Sequence, residues 1–463
     1  MNGTALLLSL LVLANTTLDL EVLRLEIPSS TGLYLADTTA DDTSDLLILE
    51  GGKLEIRSLA GPFRSRFDFP PDATAFDFVA WPLRAEDGIQ RAELLYVAGQ
   101  SVYRAVLTPN NEPPPTPEQV CESASLLGAA KPSPHPYPLL LRDQQESVIA
   151  LPSADGVTLW SLQGESRGTL PYARLSSTPS PQLHAANRPA GPGHELAWDV
   201  TGSMRVAYAA PGEAESSTEP LSRPGTESQR AGSNPEQPEQ WPWFVLAQGD
   251  DAPASRAYFR TETGEQPACI VRVRTASPEG SETFGPERRY PGLPLLPSEQ
   301  PPDFDGDGYA DLLLWRAKRP ASAFTEAPRL LTDPTWPVYL QGHRYMPESA
   351  RFDPEPLFHI ALNAPVTRFL ESSATGPFDH LLLADFAGSG KTGMALATAP
   401  GNVRLYLDLS TRATRDKHAV LALEDGIRSV EILGPVKPDG ANVLLIRGDQ
   451  ESLVAYTPVS ADF

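Results

Sequence analysis

The sequence predicts an all-β fold, and specifically a β-propeller with loop insertions. Three observations predict it. Short strand–turn–strand units recur along the chain, Pro and Gly are abundant at 48 and 34 residues, and almost no segment has a convincing helical period. Short strands that recur over several tens of residues are typical of propellers and solenoids.

The clearest unit covers residues 45–59, where two apolar strands flank the Gly51-Gly52 pair expected at a hairpin turn. The same shape returns around Gly99, Asp155-Gly156, Gly401-Asn402 and Gly448-Asp449. With two further units at Asp199 and Asp303, the count is about seven blades. Because insertions make the spacing uneven, six or eight blades stay open.

One acidic loop carries the most chemical information. Side-chain carboxylates occupy positions 1, 3, 5 and 9, a glycine at position 6 permits a tight turn, and a backbone carbonyl stands at position 7. These residues are Asp303, Asp305, Asp307 and Asp311, with Gly308 and the carbonyl of Tyr309. Such an array of hard oxygen atoms suits Ca²⁺. The alternative is a polar turn without metal. An EF-hand is excluded, because position 12 is Leu314 and the loop leads into an apolar strand.

The same register returns near both ends of the chain. Before the apolar run 46–49, oxygen-bearing residues again fall at positions 1, 3, 5, 7 and 9: Asp37, Thr39, Asp41, Thr43 and Asp45. Residues 385–393 keep the first Asp and the glycine at position 6 but have lost the other carboxylates. A weaker copy begins at Asp199. The copies lose carboxylate ligands but keep the strand pattern that follows. This is expected of a structural repeat in which only some copies bind a metal ion.

The Asp-x-Asp-x-Asp-Gly-x-x-Asp-Leu-Leu pattern at residues 303–313 resembles the FG-GAP/VCBS repeat of integrin-like β-propellers, over about residues 25–460. The resemblance implies four-stranded blades with a Ca²⁺ loop between the first two strands. It implies one ligand set of Asp303, Asp305, Asp307, the Tyr309 carbonyl and Asp311. A second candidate set is Asp37, Thr39, Asp41, the Thr43 carbonyl and Asp45.

Composition restricts the partners. The formal net charge is −22, from 59 acidic and 37 basic residues. Phosphate recognition needs a basic surface, so the balance disfavours binding to nucleic acid or to anionic membranes. A chain that is 41% apolar has enough material for a packed core.

The N-terminus predicts export. Residues 5–14 are apolar, a stretch much shorter than the roughly twenty residues that span a bilayer. A small-residue cleavage site precedes Asn15, so residues 1–14 are typical of a signal peptide and residues 15–463 would be one extracytoplasmic (periplasmic or secreted) propeller. Because this segment lacks Lys and Arg, a start further upstream or a first β-strand are alternatives. No second long apolar run occurs, so no transmembrane anchor is expected.

Two segments of the sequence are predicted to be insertions in the repeat, and two cysteines leave a disulfide bond open. Residues 211–240, rich in Pro, Ser and Glu, predict a flexible loop. Residues 318–358 contain aromatic residues and predict an ordered insertion, the best candidate for a recognition surface; covering a blade edge is the alternative. Cys121 and Cys269 could pair in an exported protein, and the sequence leaves this open.

No motif indicates catalysis. Residues 385–392 have a P-loop-like spacing, but Asp385 stands at the first glycine position and a strand follows where a helix is required. The sequence therefore favours a non-catalytic, calcium-binding extracytoplasmic propeller that serves as a scaffold for an unidentified protein or glycan. A polysaccharide lyase or hydrolase on the same scaffold is the alternative, because a fold does not decide function.

Overall fold

The computed structural model describes a set of strand-rich segments separated by gaps. They are residues 20–38, 43–61, 63–78, 92–107, 116–122, 134–136, 139–142, 147–153, 156–171, 182–185, 194–200, 203–209, 218–220, 241–246, 255–262, 267–276, 282–295, 301–317, 335–365, 378, 380–399, 401–411, 418–437 and 440–458. Within these ranges there is no α-helix, and one 3₁₀ turn spans Pro347–Ser349.

The chain divides into two compact units. One comprises Ser30–Pro224 with Ala461–Phe463, and the other comprises Met1–Ser29 with Gly225–Ser460. Strands are numbered in chain order, and β1 (Glu21–Leu25) belongs to the second of these units. Each unit is a succession of antiparallel sheets, named S1 to S8 below.

The unit that begins at Ser30 contains S1 to S4. S1 has the order β2 (Gly32–Ala36), β3 (Asp45–Glu50), β4 (Lys53–Ser58), β5 (Arg64–Asp68). S2 consists of β6 (Ala73–Phe78), β7 (Ala92–Ala98), β8 (Ser101–Leu107) and β9 (Glu118–Glu122), with β10 (His135–Pro136) parallel to β6. S3 consists of β11 (Leu140–Arg142), β12 (Ser147–Pro152), β13 (Gly156–Ser161) and β14 (Ser166–Pro171). S4 consists of β15 (Gln182–Ala185), β16 (His194–Val200), β17 (Ser203–Ala209) and β18 (Thr218–Pro220).

The other unit contains S5 to S8. S5 consists of β19 (Trp243–Val245), β20 (Arg256–Glu262), β21 (Ala268–Ala276) and β22 (Glu282–Phe284), and β23 (Arg288–Pro291) also pairs with β21. S6 consists of β24 (Leu293–Pro294), β25 (Leu312–Ala317), β26 (Thr335–His343) and β29 (Phe358–Pro365); a hairpin of β27 (Tyr345–Met346) and β28 (Arg351–Phe352) interrupts it. S7 consists of β30 (Leu381–Ala384), β31 (Gly393–Ala399), β32 (Asn402–Tyr406) and β33 (Ala419–Ala422). S8 consists of β34 (Ser429–Pro435), β35 (Asn442–Arg447), β36 (Ser452–Tyr456) and β1.

The predicted fold class is confirmed: the chain is all-β and is built from successive four-stranded antiparallel sheets, the blade architecture of a β-propeller. The described residues form eight such sheets, of which S2 and S5 have a fifth strand. The predicted number of blades, about seven with six or eight left open, stays a prediction.

Turn chemistry explains the tight connections. Gly51 and Gly52 lie between β3 and β4 with φ of 56° and 82°, the left-handed pair that a two-residue hairpin of this kind requires. The weak loop predicted at Asp199 is wrong, because Asp199 lies inside β16 and pairs with Met204 of β17. Asp199 and Ser203 therefore lie at the adjoining ends of the second and third strands of S4.

Apolar clusters pack consecutive sheets face to face. Leu313, Leu340 and Ile360 of S6 share a buried cluster with Met394 and Leu396 of S7. Similar clusters join S1 to S2, S5 to S6 and S7 to S8. In these four pairs, each sheet contributes a buried face to its neighbour in sequence.

Candidate metal centre

Three loops of the predicted acidic register occupy equivalent places in their sheets. They are named the Asp37 loop (residues 37–45), the Asp303 loop (303–311) and the Asp385 loop (385–393). Each connects the first strand of its sheet to the second: β2 to β3, β24 to β25, and β30 to β31. This is the position that the sequence resemblance implied.

The first carboxylate organises the backbone of the Asp303 loop. Asp303 Oδ1 accepts hydrogen bonds from the amides of Gly306 at 2.7 Å and Asp307 at 3.2 Å, and Oδ2 accepts one from Gly308 at 2.9 Å. Gly306 and Gly308 have φ of 77° and 84°, a conformation that side chains disfavour. The sequence therefore folds the loop around the Asp303 side chain.

The last carboxylate of the loop is its most buried group. Asp311 is 0% exposed. Its Oδ2 accepts the Phe304 amide at 2.8 Å, and its Oδ1 accepts the Tyr345 amide at 2.9 Å. Asp311 thus connects the start of the loop to the β27–β28 hairpin, which is distant in sequence.

Three of the four predicted carboxylates come together. Oxygen atoms of Asp303, Asp305 and Asp311 all lie within 4.8 Å of one another, and no second group of three or more such ligands occurs among the described residues. Asp307 is exposed, and its Oδ1 accepts the Tyr309 amide at 2.9 Å. It does not belong to this group.

Without a cation, ionising the three clustered carboxyl groups is unfavourable. Burial raises the pKa of Asp311 to about 8, although the Phe304 and Tyr345 amides lower it; repulsion from Asp305 and Asp303 is a smaller contribution to the rise. Burial likewise raises the pKa of Asp303 and of Asp307. Carboxylates that resist ionisation become stable anions when a cation lies among them.

The donor set fits Ca²⁺. Three clustered carboxylates, two of them buried, supply hard oxygen atoms on a loop that leads into a rigid strand. Within the described part of the chain, the one ion pair to this group comes from Arg344, whose guanidinium lies 3.5 Å from Asp305 Oδ2. Arg344 is half exposed, so it neutralises the group only at its rim.

The Asp385 loop keeps the backbone of the Asp303 loop without the ligands. Asp385 Oδ2 accepts the amide of Gly390 at 2.5 Å, the equivalent of the bond from Gly308 to Asp303. Gly388 and Gly390 have φ of 67° and 76°, as at the equivalent positions of the Asp303 loop. The two loops therefore share a turn in which the amide at position 6 donates to the first Asp.

The Asp37 loop preserves another part of the pattern. Asp45 is 0% exposed, and its Oδ2 accepts the Thr38 amide at 3.1 Å and the Thr38 hydroxyl. The same bond joins Asp311 to Phe304. Asp37 is partly buried and Thr43 is buried, whereas Thr39 and Asp41 lie outside the described residues. The second candidate ligand set stays a prediction.

Backbone hydrogen bonds connect successive loops in the unit that contains S5 to S8. The Ala310 amide donates to the Leu246 carbonyl at 2.6 Å, and the Thr392 amide donates to the Asp303 carbonyl at 2.6 Å. The Asn442 amide donates to the Asp385 carbonyl at 2.7 Å. The Asp303 loop therefore lies within a row of loops that contact one another along one edge of these sheets.

Sequence reasoning missed the contacts that come from outside the loop. Arg344 and the Tyr345 amide approach from the hairpin after β26, and Thr392 Oγ1 accepts the Asp303 amide at 2.9 Å. These residues carry no signal in the linear pattern, because Tyr345 lies 34 positions from Asp311 and Thr392 lies 89 positions from Asp303, and they meet only through sheet topology.

The other predictions fall as follows. Cys121 and Cys269 are free, buried thiols, and burial raises the pKa of each, to about 11 and about 12.

Within the predicted insertion, residues 335–343 are strand β26 of S6, and the hairpin follows it; residues 318–334 lie outside the described residues. So do residues 1–14 and all of 211–240 except Thr218–Pro220. No helix in the described segments is long and apolar enough to cross a membrane.

Comparison with known proteins assigns the chain to no family. No family model matches the chain, and no curated protein matches it. Among solved structures, the β-propeller domain of Nup133 from Vanderwaltozyma polyspora matches with 10% identity and a TM-score of 0.28, over 94% of this chain and 97% of that domain. Because a TM-score this low does not establish a shared fold, the assignment to the β-propeller class depends on the sheets themselves.

Proposed function

We propose that this chain is a calcium-binding β-propeller protein of the FG-GAP/VCBS type. In this proposal it acts outside the cytoplasm as a non-catalytic scaffold for a protein or glycan. One observation carries the proposal: oxygen atoms of Asp303, Asp305 and Asp311 lie within 4.8 Å of one another in a loop between the first two strands of S6. Burial of such a group is favourable only with a counter-charge.

In this proposal Asp303, Asp305 and Asp311 hold the ion. The resemblance also implies Asp307 and the Tyr309 carbonyl as ligands, but the Asp307 carboxylate lies outside the group and accepts the Tyr309 amide. The bound ion supplies positive charge that offsets the repulsion between the carboxylates, and it performs no chemical step. The chain's own residues supply rigidity, because the Asp303 backbone and Thr392 already hold the loop against S7.

The Asp37 loop is proposed as a second, weaker site. Asp45 already holds Thr38 in the way that Asp311 holds Phe304. At ligand positions 1, 3, 5 and 9 the Asp37 loop offers three carboxylates and the Asp303 loop offers four, since position 3 is Thr39. Because affinity for Ca²⁺ follows the number of charged ligands, the Asp303 loop should fill first.

Calorimetry tests the calcium proposal. The purified chain, treated with chelator, is unfolded by heating with and without saturating Ca²⁺, with Mg²⁺ as the matched control. A ligand that binds only the native state stabilises it by about 2.7 kcal/mol at a hundredfold excess over Kd. We expect the midpoint to rise with Ca²⁺ and to rise less with Mg²⁺, which prefers rigid octahedral sites. An unchanged midpoint at saturating Ca²⁺ would reject calcium binding.

The scaffold role needs a separate test. Glycan arrays probed with residues 15–463, in Ca²⁺ and in chelator, should show calcium-dependent binding if the partner is a glycan. Co-purification with extracytoplasmic proteins should show it if the partner is a protein. Turnover of a polysaccharide by the purified chain would instead support an enzyme on the same fold.

A further inference from the structure

The β27–β28 hairpin is attached directly to the Asp303 loop. Residues 344–353 leave the end of β26 and return to S6 at β29, and the Asp353 amide closes the hairpin on the Arg344 carbonyl at 2.7 Å. Two side chains of the hairpin, Tyr345 and Phe352, are buried in the same cluster as Ala310 of the loop. Hairpin and loop therefore pack as one body.

Three contacts join the hairpin to ligand-bearing residues. The Tyr345 amide donates to Asp311 Oδ1 at 2.9 Å, and the Arg344 guanidinium lies 3.5 Å from Asp305 Oδ2. The rings of Tyr309 and Tyr345 lie 5.6 Å apart between centroids. Two of the three clustered carboxylates are thus held by neighbouring residues of the hairpin.

The two polar contacts differ in their relation to a cation. An amide that donates to Asp311 leaves further lone pairs on that carboxylate, so it can coexist with a metal ion. A guanidinium at Asp305 carries positive charge into the space beside the cluster. It is repelled by a divalent cation among the same carboxylates. Arg344 is 49% exposed, so it can turn into solvent when displaced.

We propose that Arg344 is the resident counter-ion of the Asp303 loop, competing with Ca²⁺ for Asp305 and setting the affinity of the site. In the same proposal Tyr345 is a positioning residue that couples occupancy of the loop to the order of the hairpin. This inference rests on the proposed calcium-binding function. It adds that a residue outside the acidic motif tunes the site and that the hairpin responds to the ion.

Titration calorimetry of Ca²⁺ into the chelator-treated full chain tests the competition. Arg344→Gln removes the charge and should tighten binding by roughly fivefold to tenfold, with a smaller gain at high salt because salt screens exposed charges. Arg344→Lys keeps the charge and should stay close to wild type. Arg351→Gln removes one positive charge from β28 of the same hairpin, where Arg351 acts on Tyr290, and should change the affinity by less than about twofold.

The outcomes separate the two proposals. Equal or weaker binding by Arg344→Gln, with wild type binding Ca²⁺, overturns the competition and leaves the proposed function standing. Binding by Arg344→Gln alone supports the competition, because the resident guanidinium then excludes the ion from wild type. Absence of binding by both proteins overturns both proposals.

Hydrogen exchange tests the coupling. Ca²⁺ fixes the Asp311 carboxylate, so the amides of residues 345–352 should exchange more slowly with Ca²⁺ than with chelator in wild type. The amides of the β3–β4 hairpin, in the other unit, serve as the internal control and should not change. Equal exchange rates for residues 345–352 under both conditions at saturating Ca²⁺ would overturn the coupling.

Discussion

The acidic residues of the Asp303 loop do different work although they share one motif. Asp303 folds the loop by accepting three backbone amides, and Asp311 anchors it to Phe304 and to the hairpin. Asp305 is half-buried with its oxygen atoms in the cluster, whereas Asp307 is exposed and caps the Tyr309 amide. Position in the motif therefore does not by itself give the role.

This difference predicts unequal effects of two isosteric substitutions. Asp305→Asn should weaken Ca²⁺ binding on the order of tenfold, because it removes one of three charges around the ion. Asp307→Asn should weaken it less, since its carboxylate lies outside the group. Titration calorimetry of both variants measures the difference. An equal loss in both would show that Asp307 turns inward when the ion binds.

A second prediction concerns the Asp37 loop. Thr38→Val deletes the hydroxyl that donates to buried Asp45 and leaves the amide bond intact. We expect the free energy of unfolding to fall by about 1–3 kcal/mol, because a buried carboxylate loses a donor. Urea denaturation measures it. A loss below about 0.5 kcal/mol would mean that solvent replaces the hydroxyl.

At the scale of elements, loops are positioned by their neighbours as much as by their own residues. The Asp303 carbonyl accepts the amide of Thr392, in the loop before β31 of S7. The Asp385 carbonyl accepts the amide of Asn442, the first residue of β35 in S8. Gly388 lies at such a contact: a Cβ added there would lie 2.9 Å from the Ala441 amide nitrogen. Close approach of backbones explains why a loop without metal ligands still keeps its glycines.

Two glycine substitutions in the Asp385 loop separate backbone strain from packing. Both positions have positive φ, but a Cβ at Gly390 would meet nothing within 4 Å. Gly390→Ala should cost about 1 kcal/mol of unfolding free energy through backbone strain alone. Gly388→Ala should cost about 2–4 kcal/mol, since the Ala441 backbone must move. Equal losses, measured by chemical denaturation, would argue against the loop-to-loop contact.

The sequence predicted elements better than it predicted their partners. Alternating apolar residues and turn glycines were sufficient to place β3–β4 and β31–β32, because both signals are local. Residues 335–343 were interpreted as part of the ordered insertion 318–358, whose prolines interrupt the strand pattern. Within the described residues, β25 pairs with β26 as far as Val338, and Pro337 pairs with Asn363 of β29.

For the candidate site, too, the sequence predicted local features but not the contacts made by distant residues. The register of the acidic loop predicted the cluster of Asp303, Asp305 and Asp311, because a short loop keeps its ligands together. It did not predict the outward position of Asp307 or the contacts from Arg344 and Tyr345. Those depend on how β26 and the hairpin return to the loop, which is a property of the tertiary fold.

At the scale of the whole molecule, the two ends of the chain meet in one sheet. β1 pairs with β36 in antiparallel register from Glu21–Tyr456 to Leu25–Ser452. The Tyr456 hydroxyl donates to Glu21 at 2.6 Å, and Arg24 pairs with Glu451 at 2.7 Å. Without β1, the buried strand β36 would become an open edge, which favours aggregation.

Two N-terminal deletions test this pairing. Removal of residues 1–26 should lower the thermal midpoint and promote aggregation, because β36 loses its partner. Removal of residues 1–14 should leave both unchanged, since β1 is retained and these residues are the predicted signal peptide. Thermal unfolding and light scattering measure the two effects. A stable monomer without residues 1–26 would show that β1 contributes little to S8.

Anomalous diffraction from crystals of the chain grown in Ca²⁺ tests the central claim most directly. The account predicts a calcium peak bounded by Asp303, Asp305 and Asp311, about 2.3–2.6 Å from their oxygen atoms. An ordered Asp303 loop with no such peak in calcium-saturated crystals would contradict it.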